Sequence, residues 1–118
     1  GLPPRKVCPL RKAYFPALVF NVCDDVTGAP VAMIAFDNSG YISTLVDKEH
    51  RGTGYSYTVW PEILDILKQM HKDKQLPFDR IWGRAHKDNA VPNKIVERLG
   101  FTKVETEGDF IMWELPLE

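Results

Sequence analysis

The sequence predicts an α/β (α+β) fold, a mixed and mostly antiparallel central sheet with helices on both faces. Three features carry that expectation. Short apolar and β-branched runs recur between turn-forming clusters, a long segment after Gly54 takes on a helical period, and a second short helical segment ends on Leu99-Gly100. A β-helix-β-helix passage, joined to an opening hairpin and closed by two further strands, makes a layered sheet. No internal repeat or low-complexity tract interrupts it.

Residues 1–16 contain Pro3, Pro4, Pro9 and Pro16. Each proline removes a backbone donor and fixes φ, so this stretch is expected as an extended lead-in without a regular element. Leu18-Val19-Phe20-Asn21-Val22 reads as a strand over 17–23. Asp24 to Gly28 supplies turn formers, and Val31 to Phe36 returns as the second strand of a hairpin. After Asn38-Ser39-Gly40, Tyr41 to Val46 puts Ile42, Thr44 and Val46 on one alternating face of a third strand. Ile63, Ile66, Leu67 and Met70 stand at i, i+3, i+4 and i+7, one buried helical stripe with Glu62, Asp65, Lys68 and Gln69 toward water. Pro61 falls within that segment, so one bent helix is expected. Phe78 to His86 is the next strand, with Ile81, Gly83 and Ala85 on one side. Asn89 is placed to cap a short helix with Pro92 in its first turn, Ile95, Val96 and Leu99 as its apolar face, and Gly100 as its stop. Phe101 to Thr106 and Phe110 to Leu115 finish the chain as strand, turn and strand.

At 118 residues the chain fits one domain. Its 15 basic and 16 acidic side chains leave a formal net charge of -1, with no basic stripe for a polyanion. The group Arg5, Lys6, Arg11 and Lys12 reads as a solvated arm, so nucleic acid is not an expected partner. The longest apolar runs, such as Val31 to Phe36, fall far short of a membrane span, and a proline-rich start is unlike a signal peptide. Cys8 and Cys23 form neither a Cys-x-x-Cys pair nor a metal-site spacing. They are expected as reduced thiols, with a cytoplasmic setting. Trp60, Trp82 and Trp113 are expected mainly as packing residues.

The chemistry-bearing segment is Arg51-Gly52-Thr53-Gly54-Tyr55-Ser56, which joins the third strand to the long helix. Glycines at alternate positions allow close backbone approach, and the first N–H groups of a helix can surround an anion. Such a turn can seat a phosphate, with Arg51 adding a charge-assisted contact at the rim. The pair of glycines alone equally fits a tight strand-helix connection. The spacing does not fit the usual ATP phosphate loop, nor the dinucleotide fingerprint.

In context, this segment resembles the acetyl-coenzyme A motif of the GCN5-related N-acetyltransferase (GNAT) family, Arg/Gln-x-x-Gly-x-Gly/Ala. Arg51 matches the first position, Gly54 the central glycine, and Ser56 stands in the last small position. Further on, Asn89 with its short helix and Leu99-Gly100-Phe101 resembles the family's second segment. The resemblance implies a single acetyltransferase-like domain over 17–118, shortened at its N-terminus, that binds acetyl-CoA as donor substrate. It implies that Leu45 and Val46 present backbone groups to the pantetheine arm and that Arg51, Gly52, Thr53, Gly54, Tyr55 and Ser56 hold the pyrophosphate. Asn89 would contact the coenzyme or fix the second strand's end.

The implied reaction moves an acetyl group to a primary amine of a small molecule or protein. It needs placement, an N–H donor for the developing oxyanion, and a proton for the departing thiolate. The Leu45 or Val46 N–H is the family-derived donor. The family's frequent tyrosine acid falls at Val96, which has no proton to give. That leaves water, Tyr55, Tyr57 or an unassisted thiolate. His86, at the end of its strand, is the candidate base or amine-positioning group, and an imidazole exchanges protons near neutral pH. A catalytically weak module acting by cofactor or protein binding is the alternative. A homodimer or partner protein is expected to use an open edge near Leu18 to Cys23.

Overall fold

The computed structural model describes residues 5–14, 17–24, 26–46 and 55–118. Its elements run β1 (Arg5–Tyr14), β2 (Ala17–Asp24), β3 (Pro30–Asp37), β4 (Ile42–Val46), α1 (Tyr55–Lys72), β5 (Arg80–His86), α2 (Ala90–Arg98), β6 (Thr102–Glu107) and β7 (Phe110–Pro116). Strands β1 to β4 form an antiparallel sheet in chain order, and β5, β7 and β6 form a second with β7 in the middle. The sheets meet at a parallel bridge between Tyr41 and Trp82. This is a mixed α/β fold of antiparallel sheets flanked by helices.

The core follows from strand alternation. Leu18 pairs with Phe36, Phe20 with Ile34 and Val22 with Ala32, so each pair shares a face, and all six are buried. The stripe of α1 closes on that face with Val59, Ile63, Leu67 and Met70, also buried. Phe36 meets Phe20 edge-on at 6.0 Å and Trp60 edge-on at 6.1 Å. Each fully buried side chain of this size contributes about 1.5–3 kcal/mol, which outweighs the backbone donor that Pro61 removes from the middle of α1. Ile81, Trp113, Leu115 and Leu117 extend the same cluster under the second sheet.

Three expectations are corrected. Residues 5–14 are a strand, not a featureless lead-in: β1 lies at the sheet edge, where a proline costs no ladder bond, and the register breaks between Val7 and Arg11, around Pro9. The stretch Leu18 to Cys23 is consequently no open edge, because β2 is paired on both sides. Cys23 is disulfide-bonded, so the reduced thiols on which a cytoplasmic setting rested are absent. Trp60 of α1 and Ile95, Val96 and Leu99 of α2 line one cavity with Ile42 and Gly83. Tyr14 pairs with Ala17, so β1 and β2 stay antiparallel neighbours to their facing ends. Among the described residues the opposite face, bearing Met33, Leu45, Arg84 and Phe110, stays exposed.

Candidate active site

The site is built where β4 and β5 part. They run parallel and meet at Tyr41 and Trp82, where Trp82 N–H donates to the Gly40 carbonyl at 3.0 Å. Beyond that bridge no strand pairing joins them among the described residues. Gly40 permits the contact: its φ is +88, and a Cβ there would overlap the Arg80 carbonyl oxygen. Asp37 ties the turn, its Oδ1 accepting from Ser39 Oγ at 2.6 Å, Ser39 N at 2.8 Å and Tyr41 N at 3.0 Å. The Ser39 hydroxyl holds the Asp37 carboxyl below its usual range, backed by the N–H groups of Ser39, Tyr41 and Gly40 and opposed by partial desolvation. On the outer side Tyr41 and Trp82 stack at 4.6 Å, and Trp82 Nε1 donates to the Ser39 carbonyl at 3.3 Å. The vertex of the splay is therefore fixed on both faces.

Past the vertex the strands enclose a cavity of ≈ 180 Å³, lined by Ile42 and Thr44 from β4, Gly83, Arg84 and Ala85 from β5, and Pro92, Ile95, Val96 and Leu99 from the α2 side. Backbone direction in β4 follows from the ladder. Asp37 N donates to Tyr41 O at 3.2 Å, and hydrogen-bonded pairs recur at every second residue, so Ser43 and Leu45 turn their N–H and C=O toward β3. Those of Thr44 and Val46 then face β5 across the cleft. Leu45 is thereby corrected as the N–H donor: its amide is turned into the sheet, and its side chain is 64% exposed on the outer face. An apolar slot with peptide groups directed into it, left without a strand partner, fits an elongated amide-bearing arm such as pantetheine.

Helix α2 is held against the cleft by Asn93, which sequence reasoning passed over. Its Nδ2 donates to His86 O at 3.0 Å and Asn89 O at 2.8 Å, while its Oδ1 accepts from Trp113 Nε1 at 2.8 Å. Asn89 stands at the N-cap position but makes no side-chain cap bond, so the capping expectation is corrected and its exposed side chain remains free of that role. The far end is a Schellman stop. Phe101 N donates to Val96 O at 3.0 Å and Gly100 N to Glu97 O at 3.1 Å, with Gly100 at φ 98. Phe101 is buried, as its position after the glycine implied. Val96 does face the cavity, so the position of the family's tyrosine acid is filled by methyl groups.

His86 lies on the outer face, paired with Phe110 and edge-on to its ring at 5.4 Å. The Asp88 N–H donates to His86 Nδ1 at 3.2 Å. Asp88 Oδ2 lies 3.8 Å from the same nitrogen, so Asp88 holds the ring on its Nδ1 side. Arg84, one alternation nearer the vertex, extends over Tyr41 at 5.8 Å and Phe110 at 5.9 Å. Arg51, Gly52, Thr53 and Gly54 lie outside the described residues, as do the side chains of Tyr55, Ser56 and Tyr57. Among the described residues no cluster of side chains could hold a metal ion, and no helix is long and apolar enough to cross a membrane.

The spermidine N-acetyltransferase of Vibrio cholerae superposes on this chain with a TM-score of 0.72 at 15% identity, over 87% of this chain and 66% of that one. The ribosomal-protein-S18-alanine N-acetyltransferase of Escherichia coli gives 0.68 at 17% identity over 88% and 71% of the respective chains. The fold is that of the GNAT acyl-CoA N-acyltransferases. The RimL ribosomal L7/L12 alpha-N-protein acetyltransferase shares this GNAT fold at a TM-score of 0.65 and 14% identity, over 86% of this chain and 70% of that one. Against these and the ribosomal-protein-S5-alanine acetyltransferase of Vibrio fischeri, the chain spans 63% to 71% of the other protein's length. No protein-family model and no curated protein sequence matches the chain.

Proposed function

We propose that the chain is an acetyl-CoA-dependent N-acetyltransferase acting on a primary amine of a small molecule or protein. One observation carries the reading: the parted strands β4 and β5 direct the backbone of Thr44 and Val46 into an apolar slot bounded by α2. Acetyl-CoA supplies a thioester whose carbonyl carbon accepts the amine while the C–S bond breaks. The walls of Ile42, Gly83, Ala85 and Ile95 exclude water from that carbon. The Val46 or Thr44 N–H is the donor for the carbonyl oxygen, worth a substantial part of the barrier where water is excluded. The proposed pyrophosphate seat is Arg51 to Ser56, with Asn89 as a further coenzyme contact. Val96 supplies no proton, so the thiolate leaves unaided or takes one from water, which a thiol's ordinary acidity permits.

One observation favours the second reading, a binding module with weak turnover: methyl groups stand where the family places an acid. Calorimetric titration with acetyl-CoA, coenzyme A, ATP and NAD tests the first reading. Saturable binding of the two coenzyme A species alone is expected, and no binding removes it. Thiol release over an amine panel then separates enzyme from module.

A further inference from the structure

The outer mouth of the cleft carries an arginine and a histidine on one face. Past the Tyr41–Trp82 vertex, the first side chains of β5 on the helix-free face are Arg84 and His86, about 7 Å apart along the strand. Arg84 is held by two rings rather than by an acid. Its guanidinium lies over Tyr41 and Phe110, and among the described residues no carboxylate pairs with it, whereas Arg80 is bonded to Glu114 at 2.9 Å. His86 Nδ1 accepts from the Asp88 N–H at 3.2 Å, and Asp88 Oδ2 lies 3.8 Å from the same nitrogen. Asp109 is paired with Lys87 at 3.3 Å, and Glu105 and Glu107 lie on β6, across β7 from β5.

The geometry points to an oxyanion subsite for the acceptor: Arg84 and His86 select a primary amine that carries a carboxylate or phosphate group, against polycationic amines. This rests on the proposed transferase reading. A guanidinium stacked on two rings is already ordered, so it loses little freedom on binding an oxyanion and presents paired N–H donors to it. A polyamine would set like charge against Arg84.

Steady-state rates at saturating acetyl-CoA, with the full chain, test it on matched acceptors: glycine with glycinamide, O-phosphoethanolamine with ethanolamine, and spermidine. The oxyanion member of at least one pair is expected to have the higher kcat/KM. Arg84→Gln should lower that value about 10–100-fold while changing the neutral partner less than about twofold, with Arg84→Lys intermediate. Whichever pair responds names the carboxylate or the phosphate. Spermidine as the best acceptor, or an equal loss for every acceptor in Arg84→Gln, overturns the subsite. A readout independent of turnover follows the nitrogen signals of Arg84 Nε and the His86 ring as N-acetylglycine and inorganic phosphate are added to the protein. Saturable shifts abolished in Arg84→Gln support the subsite even where coenzyme A does not bind, which would sink only the transferase reading. Unmoved signals up to the solubility limit of both probes overturn the subsite itself.

Discussion

The Asn93 amide makes three hydrogen bonds that together set where α2 begins: two to carbonyls, at His86 and Asn89, and one from the Trp113 indole. Removing it in Asn93→Ala leaves Trp113 Nε1–H buried without an acceptor, since that residue is only 7% exposed. The expected loss is about 1–3 kcal/mol in urea denaturation, and an unchanged midpoint would show that water replaces the amide. At this scale the sequence was only partly legible. The strand-end place of His86 and the burial of Phe101 could be read from alternation and from the Leu-Gly-Phe stop. A polar residue four positions past Asn89 looks solvated, and the sole hint was that a buried tryptophan needs an acceptor somewhere. Likewise the contact on His86 Nδ1 comes from the Asp88 backbone, which no side-chain pattern reveals.

Among the elements that form the cleft, β5 leaves one position on the cavity without a side chain, Gly83. The alternation Ile81, Gly83, Ala85 was legible as one face of a strand, and the structure places Gly83 and Ala85 on the cavity. A Cβ on Gly83 would touch Ile42 Cβ and Cδ1 at 3.7 Å, ordinary contact that the fold accommodates. The further methyls of Gly83→Val would enter the slot. This variant should fold with a Tm near that of the parent, because valine suits a strand better than glycine does. Its affinity for acetyl-CoA should fall at least about tenfold. A folded variant with unchanged affinity would place the coenzyme outside the cleft. The long helix was equally legible, its stripe being dense enough to override Pro61. By contrast, β1 was not: four prolines hide a strand whose position at a sheet edge exists only in the assembled sheet.

Across the whole molecule, β1 decides whether the first sheet is closed on that side. It pairs with β2 from Arg5–Asp24 to Tyr14–Ala17, so it covers the edge that the hairpin of β2 and β3 would otherwise present to solvent. Both helices lie on the opposite side of the sheet from Met33 and Leu45, so no helix compensates for an uncovered edge. A chain starting at Ala17 would keep the cleft, α1 and α2, yet expose the unpaired N–H and C=O groups of β2 and strand Cys23 without its disulfide. Losing a strand whose pairing is worth about 2 kcal/mol lowers the Tm of a domain this size by roughly 8 °C. The truncated chain should melt on that order below the full one and elute as larger species in size-exclusion chromatography, the freed edge pairing between copies. Cys23→Ser in the full chain separates the contributions: a smaller fall in Tm with monomeric elution assigns the remainder to the strand, whereas a fall equal to that of the truncation assigns all of it to the disulfide. A truncated chain that melts with the full one and stays monomeric would show that β1 adds nothing to the sheet it borders.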